Sequence, residues 1–182
     1  MIINHITFIS LALLLFSCES GNKTRTYRLP KSKVQVQAES SRSQSRGFQW
    51  RNPESWIPSS GSSMRLASFD VPYKGGMGDL SLILLAGDGG GIVPNINRWR
   101  GQLSLEPQLQ HEIENSMIDH EGELGGYKII NIVNNQDNSA FLAAIIPLGK
   151  QTLFAKLSID VSGIAEVESD FVEFCSSIQF TQ

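Results

Sequence analysis

The sequence predicts an α+β domain in which a largely antiparallel sheet is covered by helices. Three observations predict it. Apolar runs of strand length come in groups, with helical stretches between the groups rather than after every strand. Two stretches, residues 92–103 and 161–175, carry apolar side chains at helical spacing. Leu80, Leu82, Ile83, Leu84 and Leu85 are nearly continuous, as in a central strand covered on both faces. At 182 residues, 41% hydrophobic and 18% charged, the chain has room for one such domain plus appendages.

Taken in order, Phe48, Trp50 and Trp56, with Pro53 between them, open the domain as a short strand and its turn. Residues 59–63 are a polar loop. Residues 64–71 read as a strand, 73–79 as a turn containing Gly75, Gly76 and Gly78, and 80–86 as the partner strand. Gly87-Asp88-Gly89-Gly90-Gly91 then runs into a helix whose first turn accepts Pro94, because the missing N–H goes unused there. Ile92, Ile96, Trp99 and Leu103 fall in one narrow stripe, the pattern of a helix docked on a core. Asn95, Arg98 and Gln102 lie on one flank of that stripe, and Asn97 and Arg100 on the other. Pro107 opens a second helix to about Met117, with Leu109, Ile113 and Met117 as its stripe. An acidic bend follows. Residues 127–134 are a strand, 134–138 a polar turn, and 141–148 with 153–159 a hairpin about Gly149-Lys150. The last helix, 161–175, presents Ile164, Val167, Phe171 and Phe174, and 178–180 is a closing strand.

The glycine loop invites a phosphate-binding reading, because free N–H groups at a helix start attract anions. The spacing excludes the named motifs. A dinucleotide fingerprint needs glycine where Ile92 stands, and no Gly-Lys-Ser/Thr triplet follows. Asp88 also places a negative charge where a phosphate would sit. The loop is therefore a strand-to-helix turn that requires positive φ. His111-Glu112-Ile113-Glu114-Asn115 begins like a zinc-protease helix but has Asn115 where the second histidine belongs. With Asp119, His120, Glu121 and Glu123 it is either a loose ligand set for a divalent cation or a solvated acidic helix end. No Gly-x-Ser-x-Gly elbow is present, and no cofactor signature, so no catalytic or metal-binding residue is assigned. The candidates for binding or for fold-specific contacts are Asn95, Arg98, Trp99, Arg100 and Gln102, since arginines beside a buried tryptophan can fork to loops or to a partner. The flank that carries Arg98 adjoins the apolar stripe, which points that side chain toward a loop contact.

The amino-terminal part speaks to location. The apolar run 6–16, broken by Thr7 and Ser10, is short for a bilayer span and suited to a signal-peptide core. It ends in Leu15-Phe16-Ser17-Cys18, which resembles the lipobox of bacterial lipoproteins: leucine at −3, a small residue at −1, then the cysteine that is lipidated and becomes the mature amino terminus. Phe16 is bulky for that pattern, and His5 stands where lysine or arginine is usual; an ordinary secretory signal or hydrophobic anchor is the alternative. The expected division is a signal peptide at 1–17, lipidated Cys18 with a disordered basic tether at 18–46, and the globular domain at 47–182. Residues 19–46 hold seven basic and two acidic side chains, net +5, whereas residues 47–182 hold 8 basic and 16 acidic ones, net −8. The tether composition supports no core; it can lie on an anionic lipid surface or act as a plain spacer. An acidic domain without a basic face excludes nucleic acid as a partner. With Cys18 lipidated, Cys175 has no disulfide partner, and its place beside Phe171 and Phe174 makes it a small buried hydrophobe.

Pro53-Glu54-Ser55-Trp56, the strand with Arg65, Asn95-Ile96-Asn97-Arg98-Trp99-Arg100-Gly101-Gln102 and the ending from Phe171 to Phe180 resemble a group of bacterial, often lipoprotein-type, envelope proteins. That group's pattern is a Pro-x-x-Trp opening, an Arg-containing strand, Asn-x-Asn-Arg-Trp-Arg-Gly-Gln and a final Phe-x-x-Phe helix. The resemblance covers residues 47–180. More distantly, the opening and the closing helix-plus-strand are similar to PsbP-like α/β/α sandwiches, which are non-enzymatic accessory proteins. The resemblance implies a fold and a binding role, and it transfers no active site. The expected protein is a membrane-anchored lipoprotein of the bacterial envelope, facing periplasm or surface, with a non-catalytic binding or assembly domain. Its expected partners are the lipid membrane through Cys18 and an envelope protein or small ligand. The alternative is an envelope hydrolase assisted by a metal on His111, His120 and nearby acids.

Lipidation at Cys18 has a direct readout. Radiolabelled palmitate should enter the wild-type chain, and Cys18→Ser should take up none and leave the membrane pellet. Equal labelling of the two chains would disprove the anchor.

Overall fold

Runs of alternating and continuous apolar residues become strands, and a computed structural model that describes residues 43–45 and 47–181 joins them into two antiparallel sheets. The leader, Cys18 and the tether up to residue 42 lie outside the described residues. In the smaller sheet β1 (Ser43–Ser45) pairs with β2 (Phe48–Trp50), and β10 (Gln179–Phe180) takes the other edge of β2. The larger sheet starts with the edge strand β3 (Ile57–Pro58) and the hairpin of β4 (Arg65–Tyr73) and β5 (Gly76–Ala86). Two helices, α1 (Ile92–Gln102) and α2 (Gln110–Ser116), carry the chain to the far edge. There β6 (Ile118–Gly122) begins a meander through β7 (Gly125–Asn134), β8 (Ser139–Pro147) and β9 (Gln151–Ile159). The meander returns to the middle, where β9 pairs with β5 and completes the seven-stranded order β3-β4-β5-β9-β8-β7-β6. A 3-10 turn at Val161–Gly163 then leads into α3 (Ile164–Ser176).

Strand periodicity sorts the apolar side chains onto two faces. On β8, Ala140, Leu142, Ala144 and Ile146 face one core, and Phe141, Ala143 and Ile145 the other. The first core meets Val167, Phe171 and Phe174 of α3, together with Trp50, Trp56 and Phe69. The second meets Ile96, Trp99 and Leu103 of the α1 stripe and Ile113 of α2. Helices on one face and a helix with a small sheet on the other make an α+β sandwich with a mostly antiparallel sheet. The α1 and α3 stripes are buried as their spacing requires, and Cys175 is a free, buried thiol whose pKa is pushed far up by desolvation.

Five local departures have physical causes. The β4–β5 turn is only Lys74-Gly75, because Gly76 and Gly78 belong inside β5. A Cβ on Gly78 would sit 2.8 Å from the Leu157 side chain and 3.1 Å from the Ser158 carbonyl, so this glycine answers a close approach rather than a turn. Ile57-Pro58 forms an edge pair with Asp70 and Phe69, too short and exposed to leave a pattern. The acidic bend is the edge strand β6: Asp119 and Glu121 alternate with Ile118 and His120, the charged alternation that keeps an edge from pairing further. Its end is tied to α3, where the Glu123 N–H donates to the Ser176 carbonyl at 2.9 Å. α2 begins only at Gln110, because the Glu112 carboxylate accepts from the Leu109 N–H at 2.8 Å and fixes the start there. Leu109 is thereby 65% exposed, leaving Ile113 as the buried member of its stripe. Ser43–Ser45, which by composition go with the tether, pair with β2. Among the described residues no helix is long and apolar enough to cross a membrane.

Trp99 is 5% exposed and meets Phe154 edge-on at 6.0 Å between ring centroids. Truncation of a ring so packed costs about 3–5 kcal/mol, against a typical domain stability of about 5–15 kcal/mol. Trp99→Ala should therefore lower the urea midpoint sharply, and a midpoint equal to wild type would place the ring outside the core.

Candidate functional site

The candidate site is built on α1. Its entry is the glycine loop, with φ of 60°, 66°, 92° and 92° at Gly87, Gly89, Gly90 and Gly91, where a side chain would be strained. The Asp88 carboxylate accepts from the Gly90 N–H at 3.0 Å, closing the turn internally. Gly91 at the N-cap offers no capping side chain. Asn95, 3% exposed, supplies the missing tie by donating to the carbonyls of Gly89 (2.9 Å) and Gly91 (2.7 Å).

The other end of α1 is tied just as firmly. The Asn97 side chain accepts from the Gln108 N–H at 2.8 Å and donates to the Gln108 carbonyl at 3.0 Å. Arg100 Nε donates to the Glu106 carbonyl at 2.8 Å. Asn134 donates to the Leu103 carbonyl at 2.8 Å, binding the helix end to β7. Asn95, Asn97, Trp99 and Arg100 are thus committed to holding the helix between its loops. Arg98 makes no loop fork. It is exposed, and among the described residues its side-chain bond runs from Nη2 to Asn95 Oδ1 on the same helix, at 2.7 Å. Gln102, also exposed, accepts from Lys156 Nζ at 3.0 Å.

Arg98, Gln102 and Lys156 surround an open cavity of about 200 Å³ whose walls include Trp99, Phe154 and Ile83. Lys156 comes from β9 and lies half-buried with its ammonium 4.0 Å from the centre of the Phe141 ring. Burial, and then the charge of Arg98, hold its pKa below the ordinary lysine range, with Asp79 pulling the other way. Asp79 is itself gripped by Arg65 through two bonds of 2.8 and 3.0 Å. Among the described residues neither Arg98 nor Lys156 has a carboxylate within ion-pair distance. Ser81 faces Lys156 across the β5–β9 ladder, but its buried hydroxyl donates to the Lys156 carbonyl at 3.3 Å and not to the ammonium. The two are not aligned as nucleophile and base.

A larger cavity, about 350 Å³, lies by the start of α1 against Asp88, Ile92, His120 and Lys128. There Lys128 pairs with Asp119, the Asp88 carboxylate accepts from the Gly90 N–H, His120 stacks on Tyr127 at 5.4 Å, and Glu121 adds a further acid, so the charged lining is mostly acidic. His111 stands on α2 and His120 on β6, and among the described residues no three His, Cys, Asp or Glu side chains gather to hold an ion. The smaller cavity is the candidate site, for it brings two cations from different elements together, each held among the described residues by a neutral amide. Sequence reasoning singled out Arg98 and Gln102 and missed Lys156. Its signal was available: Lys156 is the one charged residue in the apolar strand Leu-Phe-Ala-Lys-Leu-Ser-Ile.

No protein-family model and no curated protein matches the chain. Among solved structures it is similar to the solution structure of cyanobacterial PsbP (CyanoP) from Synechocystis sp. PCC 6803, with a TM-score of 0.50 and 14% identity over 84% of this chain and 99% of that one. A crystal structure from Bacteroides thetaiotaomicron VPI-5482 aligns with a TM-score of 0.45 and 11% identity, over 74% of this chain and 45% of that one. The fold is PsbP-like.

The lowered pKa of Lys156 gives a stability test with a definite sign. While both folded and unfolded states are protonated, the folded state carries the full burden of the half-buried charge. As pH climbs from the lowered value to the ordinary one, about 10.5, the folded state sheds its proton first and the burden lifts. The difference in unfolding free energy between wild type and Lys156→Met should therefore move in favour of wild type as pH rises through the alkaline range up to about 10.5. A flat difference would show a lysine that titrates as though free.

Proposed function

We propose that this chain is a lipid-anchored protein of the bacterial cell envelope whose domain is a non-catalytic binding or assembly module. The anchor is Cys18, and the module recognises its envelope partner or small ligand at the α1 cavity. The observation that carries the binding half is the division of labour within one helix. Asn95, Asn97, Trp99 and Arg100 serve the fold, while Arg98 and Gln102 meet Lys156 around an open cavity. Charged side chains that the fold does not need are what a recognition surface requires. The location rests on Leu15-Phe16-Ser17-Cys18 and the basic stretch behind it, as an expectation from sequence.

Crosslinking in intact cells tests the reading. The wild-type chain should capture a defined adduct, and Arg98→Ala should lose it at an unchanged melting temperature. An Arg98→Ala chain that captures as well as wild type, or that melts several degrees lower, would return Arg98 to the fold and defeat the proposal.

A further inference from the structure

Resting on that binding reading, we infer that the Arg98–Lys156 cavity takes a small organic anion, a carboxylate carried on a short apolar body. Two cations reach one opening from different elements, Arg98 from α1 and Lys156 from β9. Each is held by a neutral partner, Arg98 by the Asn95 amide oxygen and Lys156 by the Gln102 amide oxygen. Those bonds orient the donors without neutralising them. The guanidinium retains further N–H groups in a planar fork, the geometry that a carboxylate accepts with two oxygens. The charged groups around the cavity are Arg98, Lys156, Arg65 and Asp79, and Asp79 is already engaged on both oxygens by Arg65. The local balance is positive within a domain whose net charge is −8, so an anion is drawn to the cavity.

The walls set the rest of the ligand. Trp99, Phe154, Ile83 and Leu85 bound the cavity together with the cations. An inorganic anion would leave those surfaces wet, whereas an apolar body would cover them. About 200 Å³ suits a body of a few carbons or a single ring, and not a nucleotide or a long acyl chain. A half-buried lysine with no carboxylate partner among the described residues is also a burden on the free domain, and a bound carboxylate relieves it.

Calorimetric titration of the full chain in detergent with benzoate, inorganic phosphate and benzylamine tests this. Benzoate should give saturable heat, weakened by added salt, and Arg98→Ala and Lys156→Met should each weaken it by about tenfold or more. Phosphate or benzylamine binding as well as benzoate would overturn the ligand class, as would absence of saturable benzoate binding at millimolar concentration. Benzoate binding that both variants leave unchanged would put the anion elsewhere and overturn the site. A fall in melting temperature in both variants would instead defeat the binding reading itself. If a variant fails to fold, the ranking of the three probes on wild type still decides the class.

Discussion

The antiparallel pairing of β5 with β9 holds the rest of the structure in place. It runs from Asp79 opposite Ser158 to Ala86 opposite Gln151 and joins the early β4–β5 hairpin to the late meander. Everything between, both helices and three strands, is a loop closed by this ladder, so the pairing cannot form until that closure entropy is met. Its register is not free. A shift of one residue would turn Leu157 away from the α3 core and put Lys156 into it. The same register sets Lys156 across from Ser81 and under α1, which makes the candidate cavity a by-product of closing the sheet.

Helix α1 is the second fixture, held by side chains in place of the usual caps. Asn95 reaches back to two loop carbonyls, and Asn97 and Arg100 reach forward to the next connection. Trp99 fills the core between them. A helix pinned at both ends presents its remaining polar side chains at a fixed height above the sheet. That rigidity is what preorganises Arg98 and Gln102 toward Lys156, since little conformational freedom is left to lose when something binds.

The opposite face is closed by rings. Phe174 of α3 lies 5.2 Å from Trp56, 5.8 Å from Phe69 and 6.2 Å from Trp50. This cluster joins the last helix to the first aromatic residues of the domain, and β10 repeats the junction by pairing with β2. Among the described residues, Trp50 Nε1 is buried without a hydrogen-bond partner. Such an orphaned donor costs about 1–3 kcal/mol, a cost borne because the indole body packs against two other rings.

Sequence alone determined the parts whose physics is local. The stripes of α1 and α3 recur every three or four residues, so burial of Ile96, Trp99, Phe171 and Phe174 follows from spacing. The positive φ of the glycine loop follows from its composition, and the burial of Cys175 from its neighbours. Elements at the sheet edge were not legible: β3 and β6 bury little, so no apolar periodicity marks them, and only pairing with β4 and β7 makes them strands. Gly78 and Leu109 misled for a related reason, since one answers a neighbouring strand and the other a helix start fixed by Glu112. Within the candidate site, Arg98 and Gln102 share one helix and could be grouped from their spacing. Lys156 stands far along the chain in another element, and only tertiary closure of β9 against β5 brings its charge to theirs.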